Sequence, residues 1–223
     1  MDTGEREQGV ELRASEVAIL RVAVGRAAQR TFDIAFALTV LLLALPVLLV
    51  AAVAIKLDSP GPVLFRQSRM GLHGRPFRLV KLRGMYVDAR ARFPEFYDYT
   101  TFGDDQHFKS VGDPRVTRDG QSLRRFSIDE LPNFWNVLRG DMTVVGPRPD
   151  IPEMAHVYGE HLSLFLSAKP GITSPAKACG RDRLTFRETL DLELEYLERR
   201  SFGLDLRIIA RTAWSGVRGT DAS

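Results

Sequence analysis

Hydrophobic positions are densest between Ile34 and Ile55, where IAFALTVLLLALPVLLVAAVAI runs without a charge and carries Pro46 near its midpoint. About 22 apolar residues reach roughly 33 Å as a straight α-helix, enough to cross a bilayer. Pro46 has no N–H to donate and its ring meets the carbonyl of Leu42, so a straight helix is costly there. Each half alone is too short to span. The run therefore reads as a kinked crossing or as a re-entrant hairpin that enters and leaves by one face. Ahead of it, Val17, Leu20, Val24 and Ala27 recur at helical spacing and predict an amphipathic lead-in helix from Ala14 to Arg30, after a loose polar start.

Beyond Lys56 the stretch DSPGP stops any helix. Pro62–Met70 and Arg75–Met85 then alternate as strands around a Gly71–Gly74 loop and predict a β-hairpin. Residues 86–112 hold Tyr86, Phe93, Phe96, Tyr97, Tyr99 and Phe102 without a clear period, and read as short helices or loops. SIDELPNFWNVLRG is a second amphipathic stretch, followed by the Pro/Gly-rich link VVGPRPD. Helices are expected near 151–166, 185–200 and 203–214, with a loop at KPGIT. The expected fold class is α+β, mostly helical, with a small β-hairpin and amphipathic interfacial helices. It is expected to divide into an extension and lead-in helix (1–30), a re-entrant membrane helix (31–57) and a main domain at the cytoplasmic face (58–223).

Charge bears on the topology. The net charge of +3 over 223 residues is too small to point to nucleic acid. Arg21, Arg26 and Arg30 precede the apolar run and Lys56 follows it. Cations on both sides fit a single crossing poorly and fit two ends on the cytoplasmic face, beside anionic lipid, better. A cleaved signal sequence is disfavoured, because the run starts late, is long and lacks a small-x-small site. Cys179 is the single cysteine, so no intrachain disulfide forms, in keeping with a reducing cytoplasm.

Candidate chemistry centres on Asp129 and Glu130. Ser127-Ile-Asp-Glu130 matches a capping box, in which Glu130 would satisfy a backbone N–H, although Pro132 disturbs that register. Alone, capping is the simpler reading. Gly146-Pro147-Arg148-Pro149 alone reads as a rigid surface turn, Asp113-Pro114-Arg115 as another turn, and Lys81 with Arg83 as a solvated strand face. Taken together with Arg124 and Arg125, the set changes meaning. Adjacent acids hold a divalent metal, cations neutralise a diphosphate, and a carboxylate attacking phosphorus forms an acyl phosphate.

The ordered run DPRVTRDGQSLRRFSIDELPNFWNVLRGDMTVVGPRP resembles the signature of the bacterial sugar transferases, the monotopic polyprenyl-phosphate phosphoglycosyl transferases. The likeness extends from Arg30-Thr-Phe-Asp33 through Asp58-Ser-Pro-Gly-Pro62, Phe65-Arg-Gln67, Lys81-Leu-Arg83 and Met85 to Pro170-Gly-Ile-Thr173 and Gly180-Arg181. It implies that Asp129 is the nucleophile and that Glu130, with Asp129, holds Mg²⁺. It implies that Arg148, Arg124, Arg115 and Lys81 lie near the substrate phosphates, and that Arg181 belongs to a nucleotide or sugar loop. It implies a re-entrant helix broken at Pro46. The implied substrates are a UDP-sugar and polyprenol phosphate, at the cytoplasmic face of a bacterial inner membrane, with UMP and a polyprenyl-diphosphate sugar as products. The chain departs from the family pattern at Leu45, Gly84, Ser174-Pro175 and Lys177-Ala-Cys179. It is expected to be a minimal member without an added N-terminal membrane domain. The alternatives are a non-catalytic membrane-anchored binding protein of the same fold and a metal-dependent lipid diphosphate phosphohydrolase. Membrane lipid is an expected partner, and the amphipathic helices suit a membrane surface or a homodimer equally.

Overall fold

The computed structural model describes residues 4–100, 102–106, 112–180 and 183–218, with side chains described from residue 24 to residue 214 within those ranges. In chain order the helices are α1 (Gly4–Asp58), α2 (Ala89–Arg92), α3 (Arg118–Arg125), α4 (Phe134–Arg139), α5 (Leu162–Phe165), α6 (Pro175–Cys179), α7 (Phe186–Arg199) and α8 (Phe202–Arg218). The strands are β1 (Leu64–Met70), β2 (Pro76–Leu82), β3 (Thr143–Val145) and β4 (Gly171–Thr173). The molecule is mostly helical, with two small sheets.

The break expected at Pro46 is not seen: α1 is one helix from Gly4 to Asp58, with Pro46 inside it. The loose start is likewise helical from Gly4. Pro46 removes one hydrogen bond, and a proline more often bends a long helix than severs it. The rest of the protein also supports this helix between Asp33 and Ile55. Ala37, Ala44, Ala51 and Ile55 are buried. Spacings of seven, seven and four put them on one stripe. The small alanines let the helix lie close on the domain. The opposite face is bare, with Leu42, Leu43, Val50 and Leu57 exposed. By length and composition α1 suffices to cross a membrane.

Both ends of the apolar run are tied to the same body. At the start, Arg30 donates to the carbonyls of Val137 (2.6 Å) and Leu138 (2.7 Å) in the last turn of α4. A cation there complements the negative helix end. Buried Asp33 accepts from the Thr143 hydroxyl (2.8 Å) and the Val144 N–H (3.0 Å). At the other end Arg83 is buried, not on a solvated strand face as expected. Its guanidinium donates to the Pro62 carbonyl (2.6 Å), the Ser59 hydroxyl (2.7 Å) and the Ser59 carbonyl (2.8 Å). It thereby satisfies backbone acceptors just past the C-terminus of α1.

The predicted hairpin forms, with β1 antiparallel to β2 and Leu64 opposite Leu82, Phe65 opposite Lys81 and Arg66 opposite Val80. The stretch expected as a loop at KPGIT instead contains β4, which pairs in parallel with β3. The helix expected at 151–166 is mostly 3₁₀ (Pro152–His161), kinked at Gly159, and ends in the short α5. The two C-terminal helices fall where predicted; α7 starts from a capping box of Thr185 and Glu188. The main core joins Ala37 of α1 to Phe134 and Val137 of α4, Val144 and Val145 of β3, Tyr196 of α7 and Ile208 of α8.

Candidate functional site

Asp129 and Glu130 lie in a 3₁₀ turn, Ile128–Asn133, that continues into α4. The residue before it, Ser127, is left-handed (φ 54°), unusual for a residue with a side chain. Its hydroxyl makes no cap bond, so the expected capping box does not form. The Glu130 side chain goes elsewhere. Oε1 accepts from Lys81 Nζ at 3.0 Å, and Oε2 accepts from Lys177 Nζ at 2.5 Å. Two ammonium groups outcompete one backbone N–H, because both partners there are charged.

Three elements bring these groups together. Lys81 projects from β2 on the face it shares with Leu79. Lys177 sits on α6, which follows β4 and starts from a Ser174 cap, and it also donates to the Ile172 carbonyl at 3.0 Å. Arg148 follows β3. The Gly146 N–H donates to the Thr173 carbonyl (3.1 Å) and the Gly171 N–H to the Pro147 carbonyl (2.9 Å), so the two strand ends run backbone against backbone. A Cβ at Gly171 would collide with the Gly146 backbone. Gly146-Pro147-Arg148-Pro149 is therefore not a free surface turn: Pro147 is among the most buried residues.

These groups line one small cavity of about 40 Å³, with walls from Arg69, Leu79, Lys81, Glu130, Arg148 and Lys177. Asp129 precedes the cavity wall Glu130; its Oδ1 is buried and its charge acts on Lys81. Burial pushes the Lys81 ammonium below its usual range, and Glu130 and Asp129 pull it part of the way back. Burial also lowers Arg69, against the attraction of Asp150 at 3.7 Å. Asp150 in turn accepts from the Tyr158 hydroxyl. Beneath Arg148, Glu193 of α7 is fully buried. Burial raises it to about 8, against the pull of Ser174 and Arg148.

The site residues named from sequence are thus distributed unevenly. Lys81, Glu130 and Arg148 line the cavity; Asp129 is not among its walls, though its charge acts on Lys81. Arg115 is held away in its own turn, with Nε and Nη2 on the Asp113 carboxylate at 2.9 and 2.7 Å, and its guanidinium over the Phe96 ring. Arg124 lies 3.9 Å from the same Asp113 carboxylate, and neither arginine is among the cavity walls. Pro46 lies within α1. Arg181 falls outside the described residues.

Sequence reasoning missed Lys177, Arg69 and Glu193. Lys177 stood in a stretch noticed only as a departure from the family pattern. Arg69 shares a strand face with Phe65 and Gln67, and its alternation was the available signal. Glu193 lies in a charged helix and gives no sign in sequence of being buried.

The arrangement places a carboxylate pair among four cations. Such a set can hold a diphosphate and present a carboxylate oxygen to phosphorus. Two adjacent carboxylates are also a donor set that Mg²⁺ accepts, since it takes one or two carboxylates and completes its shell with phosphate and water.

Known proteins have similar sequences. The chain is 40% identical over 192 residues to a UDP-glucose:undecaprenyl-phosphate glucose-1-phosphate transferase of Caulobacter vibrioides, covering 82% of this chain and 67% of that one. It is 39% identical over 201 residues to a protein of the same name in Escherichia coli K12, covering 86% of this chain and 41% of that one. An uncharacterized sugar transferase of Bacillus subtilis is 35% identical, covering 82% of this chain and 84% of that protein. The chain thus spans less than half of some relatives and most of others. Residues 24–219 match the family model described as bacterial sugar transferase, a span running from within α1 through the Glu130 cavity and α8. This chain is a member of the bacterial sugar transferase family.

Proposed function

We propose that the protein transfers a sugar phosphate from a UDP-sugar to polyprenol phosphate. The observation that carries this reading is the convergence of Lys81, Lys177, Arg69 and Arg148 on a cavity beside Asp129 and Glu130. Relatives named for UDP-glucose and undecaprenyl phosphate, or for undecaprenyl-phosphate galactose transfer, support the substrate classes. In the first step an Asp129 carboxylate oxygen attacks the sugar-proximal phosphorus. The bond from that phosphorus to the bridging oxygen breaks, and UMP leaves. The sugar phosphate then rests on Asp129 as an acyl phosphate. A phosphate oxygen of polyprenol phosphate attacks the same phosphorus and releases the carboxylate, giving polyprenyl-diphosphate sugar. Arg148, Arg69, Lys81 and Lys177 orient the diphosphate and offset its charge. Asp129 and Glu130 are the residues that would hold Mg²⁺, which supplies further neutralisation of the phosphates when bound.

The membrane geometry follows from α1. The two ends of its apolar run are fixed to one body and its bare leucine face points away from it. The helix therefore docks the domain on the cytoplasmic surface of the inner membrane with both ends on one side, without a crossing. The cavity then sits where a lipid-borne phosphate can reach it.

The test is a burst of UMP from a UDP-sugar with protein and Mg²⁺ alone, near one UMP per protein. Asp129→Asn should abolish the burst and lower turnover by at least about 10³-fold. Absence of UMP release from every UDP-sugar, with polyprenol phosphate present, would overturn the proposal.

A further inference from the structure

The hairpin has two faces, and only one of them serves the cavity. Cross-strand partners project together, so Phe65 and Lys81 share one face while Arg66 and Val80 share the other. The second face, with α1 and α4, encloses a groove of about 600 Å³. That volume lies within the range of small-molecule sites. Leu41, Leu48 and Leu49 of α1 form one wall, and Leu64 and Val80 form the other. Trp135 stands half-exposed at its side.

Three arginines also line this otherwise apolar groove: Arg66, Arg78 and Arg139. All three are exposed. Arg139 lies 3.5 Å from Asp141. Among the described residues no carboxylate lies within ion-pair distance of Arg66 or Arg78. Apolar walls with guanidinium groups fit an amphiphile: an alkyl chain for the leucines and a phosphate for the arginine forks. The groove is continuous with the bare leucine face of α1, through Leu49. An indole at its side suits the headgroup level of a membrane.

We propose that this groove holds one anionic phospholipid as a resident ligand, with its phosphate diester on Arg66 and Arg78. The inference rests on the membrane docking proposed above and not on the covalent step. The reacting polyprenol phosphate is the other lipid with this chemistry. The strand order disfavours it, because a phosphate on Arg66 and Arg78 lies across the sheet from Lys81 and Glu130. The bound phospholipid wedges between α1 and the hairpin and ties the domain to anionic membrane.

The experiment uses the full chain purified from vesicles of phosphatidylcholine and phosphatidylglycerol, with retained lipid counted by native mass spectrometry. Wild type is expected to keep one phosphatidylglycerol in preference to phosphatidylcholine. Arg66→Gln with Arg78→Gln, and separately Ala52→Phe to fill the groove, should each lower that retention by at least about tenfold. The KM for polyprenol phosphate, measured in the same vesicles, should stay within about twofold. Equal retention in wild type and both variants overturns the proposal. A raised acceptor KM in either variant assigns the groove to the acceptor and also overturns it. Failure of the UMP burst in wild type would remove the proposed reaction but leave the retention result standing.

Discussion

Lys177 Nζ donates to Glu130 Oε2 across the gap between α6 and the turn that carries Asp129. With Lys81 on the other carboxylate oxygen, Glu130 is held by one cation from each side. A charge-assisted bond of this kind contributes about 1.5–3 kcal/mol. The carboxylate beside the proposed nucleophile is thus fixed in place by tertiary contacts, not by its own helix.

Replacing Lys177 should therefore affect substrate handling more than folding. Lys177→Gln keeps a donor but removes the charge. It is expected to lower kcat/KM for the UDP-sugar about tenfold, in line with loss of roughly 1.4 kcal/mol. Circular dichroism should change little, and the melting temperature should fall by only roughly 3–6 °C, in line with loss of about 1.5 kcal/mol. An unaltered kcat/KM would show that the Lys177 charge has no part in donor binding.

Glu193 makes the fold sensitive to alkaline pH. Its carboxyl is raised to about 8 by burial. Folding therefore favours its protonated form, and the stability tied to that proton is fully present below the ordinary glutamate range. It is lost as pH rises from that range through about 8. Glu193→Gln should remove this loss, so the gap in melting temperature between about pH 5.5 and about pH 8.5 narrows in the variant. Parallel pH profiles for the two proteins would contradict the assignment.

The parallel contact of β3 and β4 depends on an absent side chain. Gly171→Ala would drive a Cβ into the Gly146 backbone and the Thr173 carbonyl. Overpacking of this kind costs about 3 kcal/mol. A domain of this size should then melt roughly 6–12 °C lower. Activity should fall further than stability, because the same contact places Arg148. Thermal melting and UMP release together check both.

Arg83 is expected to matter for how α1 sits on the domain. Arg83→Met removes the donors to Ser59 and Pro62 and takes two hydrogen bonds from buried Ser59, at its hydroxyl and its carbonyl. The cost is about 2–5 kcal/mol. Limited proteolysis near residues 58–62 should become faster in the variant, while Arg66→Met, on the exposed groove face, should leave it unchanged.

Local patterns found the apolar helix, the hairpin and the two C-terminal helices because each is written in periodicity within one segment. They missed β4, because three residues pairing in parallel with a distant strand have no local period. They also placed Arg83 and Arg115 by residue type alone. One caps α1 and the other grips Asp113, and only the folded chain shows which acceptors each meets.

By itself the sequence pointed to a leucine-rich apolar helix and, from the residues taken together and their likeness to a family, to an acid pair, a lysine on a strand and an arginine between prolines as parts of one site. Those are properties of residue type and order. The tertiary structure decided that Glu130 faces two lysines and not its own backbone, that α1 continues through Pro46 against a supporting surface, and that the hairpin has a second cationic face. Each of these is a competition between partners far apart in the chain, and its outcome depends on distance and burial that no single segment encodes.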